Sequence, residues 1–267
     1  MPEFKVARYR IKAEKGQHNI QQPFSAVFLS DLHNASYGDH NCRLLAAIRS
    51  ADPSLVLIAG DMLTAAKDAV EMDAALELMD ELTRKYPVFY ANGNHEHRMK
   101  INTERYADAY ERYADKIRSF GVHLIENGCE RVQIGRFPLA IWGLELPGEY
   151  FYKGKMPQLT RMQITDLIGE PDASAYNILL AHHPVYAKIY AAWGADLALS
   201  GHLHGGLVRV PYLGGLISPQ LRPFPRYDRG MYEITDGKRL IVSGGLGSHT
   251  IPLRINNPPQ LVVIDFV

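Results

Sequence analysis

The chain has 267 residues, of which 46% are hydrophobic, and its 29 acidic residues balance its 29 basic residues. This length and composition are typical of one large or two small globular domains, with ample apolar surface to bury a core. A net charge of zero gives no electrostatic reason to expect binding to a nucleic acid or to an anionic membrane surface.

The sequence contains no apolar run near the roughly 20 residues that a membrane-spanning helix needs. Residues 1–5 also lack the apolar core of a signal peptide. We therefore expect a monomer that is cytoplasmic or bound to the periphery of a membrane, and extracytoplasmic if an N-terminal anchor precedes this sequence.

The first half of the chain alternates between short apolar segments and segments with helical spacing. The predicted strands are residues 4–12, at a sheet edge, and residues 25–30, 55–59 and 87–91. The predicted helices are residues 42–50, 68–85 and 103–120. This alternation predicts a parallel sheet with helical crossovers.

The second half begins with short strands that leave no room for helices between them, which suggests antiparallel pairing. These strands are residues 122–125, 131–134 and 139–142. Helices are predicted at residues 158–168 and 185–193, and strands at residues 175–181, 196–200 and 261–266. Asp236-Gly237 marks a hairpin, and residues 145–156 and 211–230 form loops. Together the two halves predict an α/β fold of two packed sheets with helices outside.

Five of the apolar strands end in residues that can bind a metal ion. These residues are Asp31 and His33, Asp61, Asn94 and His95, His182 and His183, and His202 and His204. The carboxyl ends of strands are where open α/β sheets bind ligands. In an extended segment residues i and i+2 point the same way, so each pair spaced by two is expected to converge on one centre.

The expected donors are carboxylate, amide oxygen and imidazole, without thiolate. This set suits Mn²⁺, with Fe and Zn²⁺ as alternatives, better than a structural zinc finger or a dedicated Ca²⁺ site. One ion cannot use so many ligands. Two divalent ions about 3.5–4 Å apart, bridged by a carboxylate, use them all.

These motifs together resemble the calcineurin-like metallophosphoesterase superfamily. Its five blocks occur here in order as Asp31-Leu32-His33, Gly60-Asp61, Gly93-Asn94-His95-Glu96, His182 and Gly201-His202-Leu203-His204. The resemblance covers nearly the whole chain and implies that residues 1–267 form one domain. It implies a four-layer α/β/β/α sandwich of two packed mixed sheets flanked by helices.

The resemblance also implies a role for each site residue. One metal ion would be held by Asp31, His33 and His204, and the other by Asn94, His182 and His202. Asp61 would bridge the two ions. His95 would be the general acid or a phosphate contact, with Glu96 orienting its imidazole.

Within the superfamily the chain is similar to the bacterial YkuE/YaeI-like phosphodiesterase branch. The similarity includes residues 30–34, 201–206 and 224–227, and the tail at residues 245–258. Two positions depart from the branch, which usually has Gln where this chain has Leu207 and Ser-Arg-Gly where it has Ser243-Gly244-Gly245. The missing Arg removes a candidate anion contact and leaves the substrate open.

The chemistry that follows is phosphoester hydrolysis, in which a hydroxide bridging two cations attacks phosphorus and His95 protonates the leaving alkoxide. We expect a phosphodiesterase acting on a small molecule or a lipid head group. The first alternative is a phosphomonoesterase acting on a small molecule or a phosphoprotein. The Ser/Thr phosphatase relatives carry an Arg soon after the bridging Asp, whereas residues 62–66 here contain none.

An alternative of another class is a metal-binding scaffold without turnover. Such relatives usually lose the acid His or several ligands, and none of these residues is missing here. Tyr150, Phe151, Tyr152 and Trp193 either line a substrate groove or belong to the core.

Overall fold

The computed structural model describes residues 3–16, 18–66, 70–151, 156–210, 214–217, 223–248 and 253–267. Two six-stranded sheets form its centre. Across the first sheet the strands are Lys5–Ile11, Gln260–Phe266, Phe24–Leu29, Leu55–Ala59, Val88–Ala91 and His123–Leu124. Across the second sheet they are Gly128–Ile134, Phe137–Leu144, Tyr176–Ala181, Leu197–Ser200, Lys238–Val242 and Gly230–Thr235.

Both sheets are mixed. In the first, Gln260–Phe266 runs antiparallel to Phe24–Leu29, while the remaining neighbours pair in parallel. In the second, a parallel centre is flanked by an antiparallel hairpin at each edge. One of these hairpins turns at Asp236-Gly237, as predicted.

Seven α-helices and several short elements complete the described part of the chain. The helices are α1 (Cys42–Ala51), α2 (Asp73–Thr83), α3 (Asn94–Ile101), α4 (Thr103–Tyr106), α5 (Ala109–Ser119), α6 (Arg161–Ile168) and α7 (Ala187–Trp193). Short 3₁₀ helices are Asp39–Asn41, Gly148–Phe151 and Pro184–Tyr186. Two-stranded ribbons pair Glu14–Lys15 with His18–Asn19, Thr64–Ala65 with Val70–Glu71, and Val208–Val210 with Gly214–Ile217. None of the described helices has the length and apolar character needed to cross a bilayer.

The buried side chains of each central strand alternate between two cores. In Leu55–Ala59, Leu57 packs between the two sheets, whereas Ile58 packs under the helices on the outer face. The inter-sheet core joins residues such as Leu57 to Ile178 of the second sheet. A third core buries α6 and α7 on the outer face of the second sheet, with Trp193 in its centre. This confirms the four-layer α/β/β/α sandwich.

Several element boundaries differ from the sequence prediction. The helix expected at residues 103–120 is broken at Ala107, whose φ of 49° cannot continue a right-handed helix. The helix expected at residues 68–85 begins at Asp73, because Val70–Glu71 pairs with Thr64–Ala65; residues 67–69 lie outside the described part.

Two further differences concern pairing and the site. Residues 123–124 join the first sheet in parallel beside Phe89 and Tyr90 and do not pair antiparallel with the following strands. Helix α3 was not predicted, because few of its residues are apolar and its buried positions include His95 and Glu96. Its first turn therefore brings polar side chains into the interior.

Candidate metal centre

The predicted site residues lie where strands of both sheets end. The strands Phe24–Leu29 and Leu197–Ser200 end just before Asp31 and His202. The chain then turns through the left-handed region of backbone conformation. Positive φ angles occur at Asp31 (52°), His33 (46°), Asp61 (53°), His202 (69°) and His204 (50°). The convergence expected from strand alternation is thus produced by strained turns, which are uncommon outside glycine and often mark functional sites.

The first group of side chains comes from both sheets. The Nε2 atom of His204 lies 3.4 Å from Asp31 Oδ1 and 3.2 Å from Nε2 of His33. The rings of His33 and His204 stack with their centroids 5.0 Å apart. One ligand atom from each residue lies within 4.8 Å of the others, a spacing that suits one metal ion.

The second group gathers around Asp61. The Nε2 atom of His182 lies 3.1 Å from Asp61 Oδ2, and ligand atoms of Asp61, His182 and His202 lie within 4.8 Å of one another. The Nδ1 atom of His182 is 2.6 Å from the carbonyl oxygen of Ala59, to which it donates when Nε2 faces a metal. This contact orients the imidazole with Nε2 toward the centre.

Asn94 begins α3 and carries a buried amide oxygen. Among the residues that the structure describes, no donor lies within hydrogen-bond distance of Asn94 Oδ1. Burying a carbonyl oxygen without a hydrogen-bond donor costs free energy, unless a cation takes the place of the donor. A divalent cation can fill this role, and the carboxylate and imidazole groups of the two clusters are donors that Mn²⁺, Fe and Zn²⁺ accept. The residues present therefore fit two divalent ions.

Two glycines allow the backbone to touch the carboxylates. A Cβ atom added at Gly93 would lie against Oδ1 of Asp61, and one added at Gly201 would lie against Asp31 Oδ2 and Ser30 Oγ. The motifs around Asp61 and His202 thus need glycine for close approach as well as for turning. The amide of His202 then donates to Asp31 Oδ1 at 3.0 Å.

The electrostatics favour deprotonated ligands at most positions. Burial opposes the charge of Asp61, but His182 outweighs it and holds the pKa of Asp61 well below its usual range. Burial, with His183 beside it, holds the pKa of His202 well below its ordinary value, and burial with the nearby Arg254 charge lowers the pKa of His204 to about 3. Both imidazoles are therefore neutral and able to ligate metal at neutral pH.

The pKa values of Asp31 and His182 are instead raised, which favours their protonated forms. Burial raises the pKa of Asp31, and the charge of Asp61 adds to this effect. Burial opposes the positive charge of His182, but Asp61 outweighs it and raises the pKa of His182 to about 10. The site thus holds the carboxylates of Asp31 and Asp61 close together, and these repel each other when both are charged. Bound cations would offset this repulsion.

His95 lies beside both groups and its ring is held by the backbone. The amide of Ala65 donates to its Nδ1 at 2.9 Å, and its own amide donates to Asp61 Oδ1 at 2.8 Å. Its ring centroid lies 4.9 Å from that of His33, and a ligand atom of His95 lies within 4.8 Å of those of His33 and Asp61. Proximity alone therefore permits either a metal contact or a proton donor.

The Glu96 carboxylate, expected to orient the imidazole of His95, contacts backbone amides and a tyrosine hydroxyl. The carboxylate accepts hydrogen bonds from the amides of Asp61, Met62 and Gly93 at 2.9–3.0 Å and from the Tyr90 hydroxyl at 2.6 Å. Burial, and next the charge of Asp61, raise the pKa of Glu96 to about 7. Glu96 thus braces the backbone turns that carry Asp61 and Asn94, whereas Ala65 holds the imidazole of His95.

Sequence reasoning missed two residues of the C-terminal tail. Arg254 donates to the carbonyl oxygen of Gly244 at 2.8 Å and to that of Gly247, and its guanidinium approaches Nδ1 of His204 at 3.4 Å. Asn257 donates to the carbonyl oxygen of His204 at 2.6 Å. Both residues lie in the tail at residues 245–258, and its similarity to the bacterial branch was the signal that could have pointed to them.

The remaining histidines and aromatic residues divide between site and core. The His183 ring lies 4.5 Å from that of His202, and its Nδ1 accepts from the Val185 amide at 3.4 Å. Phe151 lies 5.2 Å from the His202 ring, whereas Tyr150 and Trp193 are buried in the outer core. Tyr152 lies outside the described residues.

Comparison with known proteins agrees with this arrangement. The sequence profile of the calcineurin-like phosphoesterase family matches residues 24–206. The uncharacterized metallophosphoesterase YkuE of Bacillus subtilis (strain 168) is 25% identical over 246 residues, which make up 90% of this chain and 78% of that protein. The phosphodiesterase YaeI of Escherichia coli (strain K12) is 24% identical over 269 residues, 99% of this chain and 88% of that protein.

A solved structure shares the fold. The crystal structure of a 5'-nucleotidase precursor from Thermus thermophilus aligns with a TM-score of 0.50 and 16% identity, and the alignment covers 84% of this chain and 49% of that one. At this identity the similarity extends to the fold alone.

Proposed function

The chain belongs to the calcineurin-like phosphoesterase family and is a metal-dependent phosphoester hydrolase; on that premise we propose that it is a phosphodiesterase with a dinuclear centre. The observation that carries this proposal is the convergence of seven ionisable side chains that follow strands of both sheets, with Asn94 beside His95 as the eighth residue of the site. The diester preference is supported by similarity to YaeI, which is described as a phosphodiesterase.

The proposed ligands build on these two groups of side chains and add Asn94 to the second. One ion would be held by Asp31, His33 and His204 and the other by Asn94, His182 and His202, with Asp61 shared by both. Two observations support this assignment. Asp61 lies near His33 of the first group as well as near His182 and His202, and Oδ1 of Asn94 has no hydrogen-bond partner among the described residues. We propose Mn²⁺ as the native metal, because the donors are oxygen and imidazole without thiolate.

When bound, two divalent cations supply an activated water and a positive field for the phosphate oxygens. The protein supplies the leaving-group proton. Because Nδ1 of His95 accepts from the Ala65 amide, the neutral ring carries its proton on Nε2. That N–H is available to the departing alkoxide oxygen, which makes His95 the general acid in this proposal. Glu96 positions the turn before His95 and does not exchange protons with the substrate.

The test is a screen with the metal-loaded protein. Bis(p-nitrophenyl) phosphate and p-nitrophenyl phosphate measure diesterase and monoesterase activity with the same chromophore. We expect the diester to be hydrolysed with the higher kcat/KM after Mn²⁺ loading, and both activities to disappear in Asp61→Asn. A higher kcat/KM for the monoester would replace the diesterase assignment with a phosphatase. Lipid and nucleotide diesters then identify the substrate class.

A further inference from the structure

A cavity of about 590 Å³ lies beside the loop that follows His204. The two regions are linked by hydrogen bonds. Arg209, in the cavity wall, donates to the carbonyl oxygen of Gly205 at 3.0 Å. Arg229 donates to Asn257, which in turn donates to the carbonyl oxygen of His204. The described residues that line the cavity include none of the eight at the metal centre, and its volume is that of a small-molecule site.

The cavity lining carries an excess of positive charge. Among the described residues of the lining, Arg209, Arg226 and Arg229 stand against one carboxylate, that of Asp228, which leaves two positive charges unbalanced. Asp228 is buried and accepts from Arg209 at 2.6 Å, from the Tyr232 hydroxyl at 2.7 Å and from two backbone amides. The Asp228 carboxylate thus accepts four hydrogen bonds from residues of the cavity wall.

The other two guanidinium groups have neutral neighbours. Arg229 donates to Oδ1 of Asn257 at 3.0 Å, and Arg226 lies over the ring of Tyr227 at 5.2 Å. Within the described part of the chain, neither arginine forms an ion pair. Burial, and next the like charge of Arg209, lower the pKa of Arg229. Its side chain also occupies the space beside Gly244, where an added Cβ atom would approach Arg229 Cδ at 2.6 Å.

We propose that Arg209, Arg226 and Arg229 form a second anion-binding site, which takes the phosphate or carboxylate group of an organic ligand. Arg226 and Arg229, which have no carboxylate partner among the described residues, are suited to charge-assisted hydrogen bonds with such groups, whereas Arg209 is paired with Asp228 and adds its charge to the wall. The cavity is larger than a phosphate ion needs, and Phe224, 66% exposed at its wall, offers an apolar surface to the rest of the ligand. The anion is either the remote end of the phosphoester substrate, an assignment that rests on the proposed function, or a separate ligand, and the two arms of the test distinguish these sources.

The binding arm of the test needs no turnover. Sulfate is titrated calorimetrically into the metal-loaded full chain at constant ionic strength. Arg226→Ala and Arg229→Gln are each expected to weaken sulfate binding about tenfold or more, because each removes a charge-assisted contact. Arg136→Ala is the matched control, because Arg136 is exposed, lies outside the cavity and carries the same charge. Absence of sulfate binding in the wild type, or equal affinity in all four proteins, would overturn the proposal.

The kinetic arm identifies the source of the anion. Two nitrophenyl phosphodiesters are compared whose second ester arm ends in either a hydroxyl or a phosphate. If the cavity holds the substrate's remote end, the wild type and Arg136→Ala should prefer the phosphate-ended diester by about tenfold or more in kcat/KM, and Arg226→Ala should lose that preference. Arginine-dependent sulfate binding with equal kcat/KM for the two diesters assigns the site to a separate anion. Failure of both diesters to react would count against the proposed function and leave the binding result intact.

Discussion

The backbone amide of Ala65 donates a 2.9 Å hydrogen bond to Nδ1 of His95. This bond places the remaining proton of the neutral imidazole on Nε2, so that the ring is oriented as a donor by the ribbon strand Thr64–Ala65. The same atom could instead bind metal only after losing that proton. The tautomer therefore favours a general acid over an additional ligand.

His95→Gln should retain both metal ions and slow the hydrolysis of diesters with alkyl leaving groups by about 10²–10⁴-fold. The loss should be smaller for nitrophenyl diesters, whose leaving group departs without a proton. The measurement is kcat/KM for the two substrate types on the wild type and the variant, with metal content determined in parallel. Loss of metal from the variant would identify His95 as a ligand. Equal slowing of both substrates would assign it to phosphate binding.

Asp61→Asn should lower the metal content by more than one ion per chain after Mn²⁺ loading. The reason is that the Asp61 carboxylate lies between the two ligand groups and would contact both ions. Elemental analysis of protein loaded with Mn²⁺ and desalted gives the stoichiometry. Asp39→Asn, at an exposed position, is the control and should keep the wild-type value near two. Two ions retained in Asp61→Asn would exclude a bridging role.

Arg254→Ala should weaken binding of the ion at the group containing His204. Arg254 anchors the Gly244 and Gly247 carbonyls and approaches the His204 ring, and removal of such outer contacts typically lowers metal affinity by about 10–100-fold. Competition with a fluorescent chelator measures the two dissociation constants. Arg136→Ala should leave both unchanged. An unchanged affinity in Arg254→Ala would limit this residue to holding the tail in place.

Glu96→Gln should destabilise the fold while leaving the identity of the ligands intact. The carboxylate accepts four hydrogen bonds in a fully buried position, and an amide can accept at only one of its two terminal atoms. We expect a loss of about 1–3 kcal/mol in the free energy of unfolding, measured in urea. If Glu96 were instead a proton donor in the reaction, kcat would fall with no change in stability.

Glu145→Gln should lower stability in a pH-dependent manner. Burial opposes the charge of Glu145, but hydrogen bonds from His97 and Asn92 and the charge of Lys100 outweigh it and lower its pKa. A depressed carboxyl pKa stabilises the fold above the unfolded-state pKa, and this contribution is lost as the pH falls through the folded-state value.

The free energy of unfolding of Glu145→Gln should therefore be about 1–3 kcal/mol below that of the wild type at pH 7. The difference should shrink as the pH falls below about 4.5, the usual range of a glutamate in the unfolded chain. Glu104→Gln, at an exposed position, is the control and should match the wild type throughout. A difference that does not change with pH would mean that packing, and not charge, accounts for the effect.

Local pattern was sufficient for much of this protein. The apolar runs that became Leu55–Ala59 and Tyr176–Ala181 are buried on both faces, so their hydrophobicity is visible without knowledge of their neighbours. The residue types at the strand ends also indicated metal chemistry, because oxygen and imidazole donors repeated at five strand ends have few other uses. Strand alternation, however, was the wrong reason for their convergence.

Tertiary structure decided what depends on contacts between distant segments. Helix α3 has little apolar periodicity, because two of its three buried residues are His95 and Glu96, and only Met99 joins the hydrophobic core. Their hydrogen-bond partners, the amides of Ala65 and Asp61, lie 30 and 35 positions away in the sequence. The left-handed φ of Asp31 persists because the surrounding contacts compensate for its strain. Residue identity therefore determines which chemistry is available, whereas long-range hydrogen bonds and packing determine which atom faces the reaction.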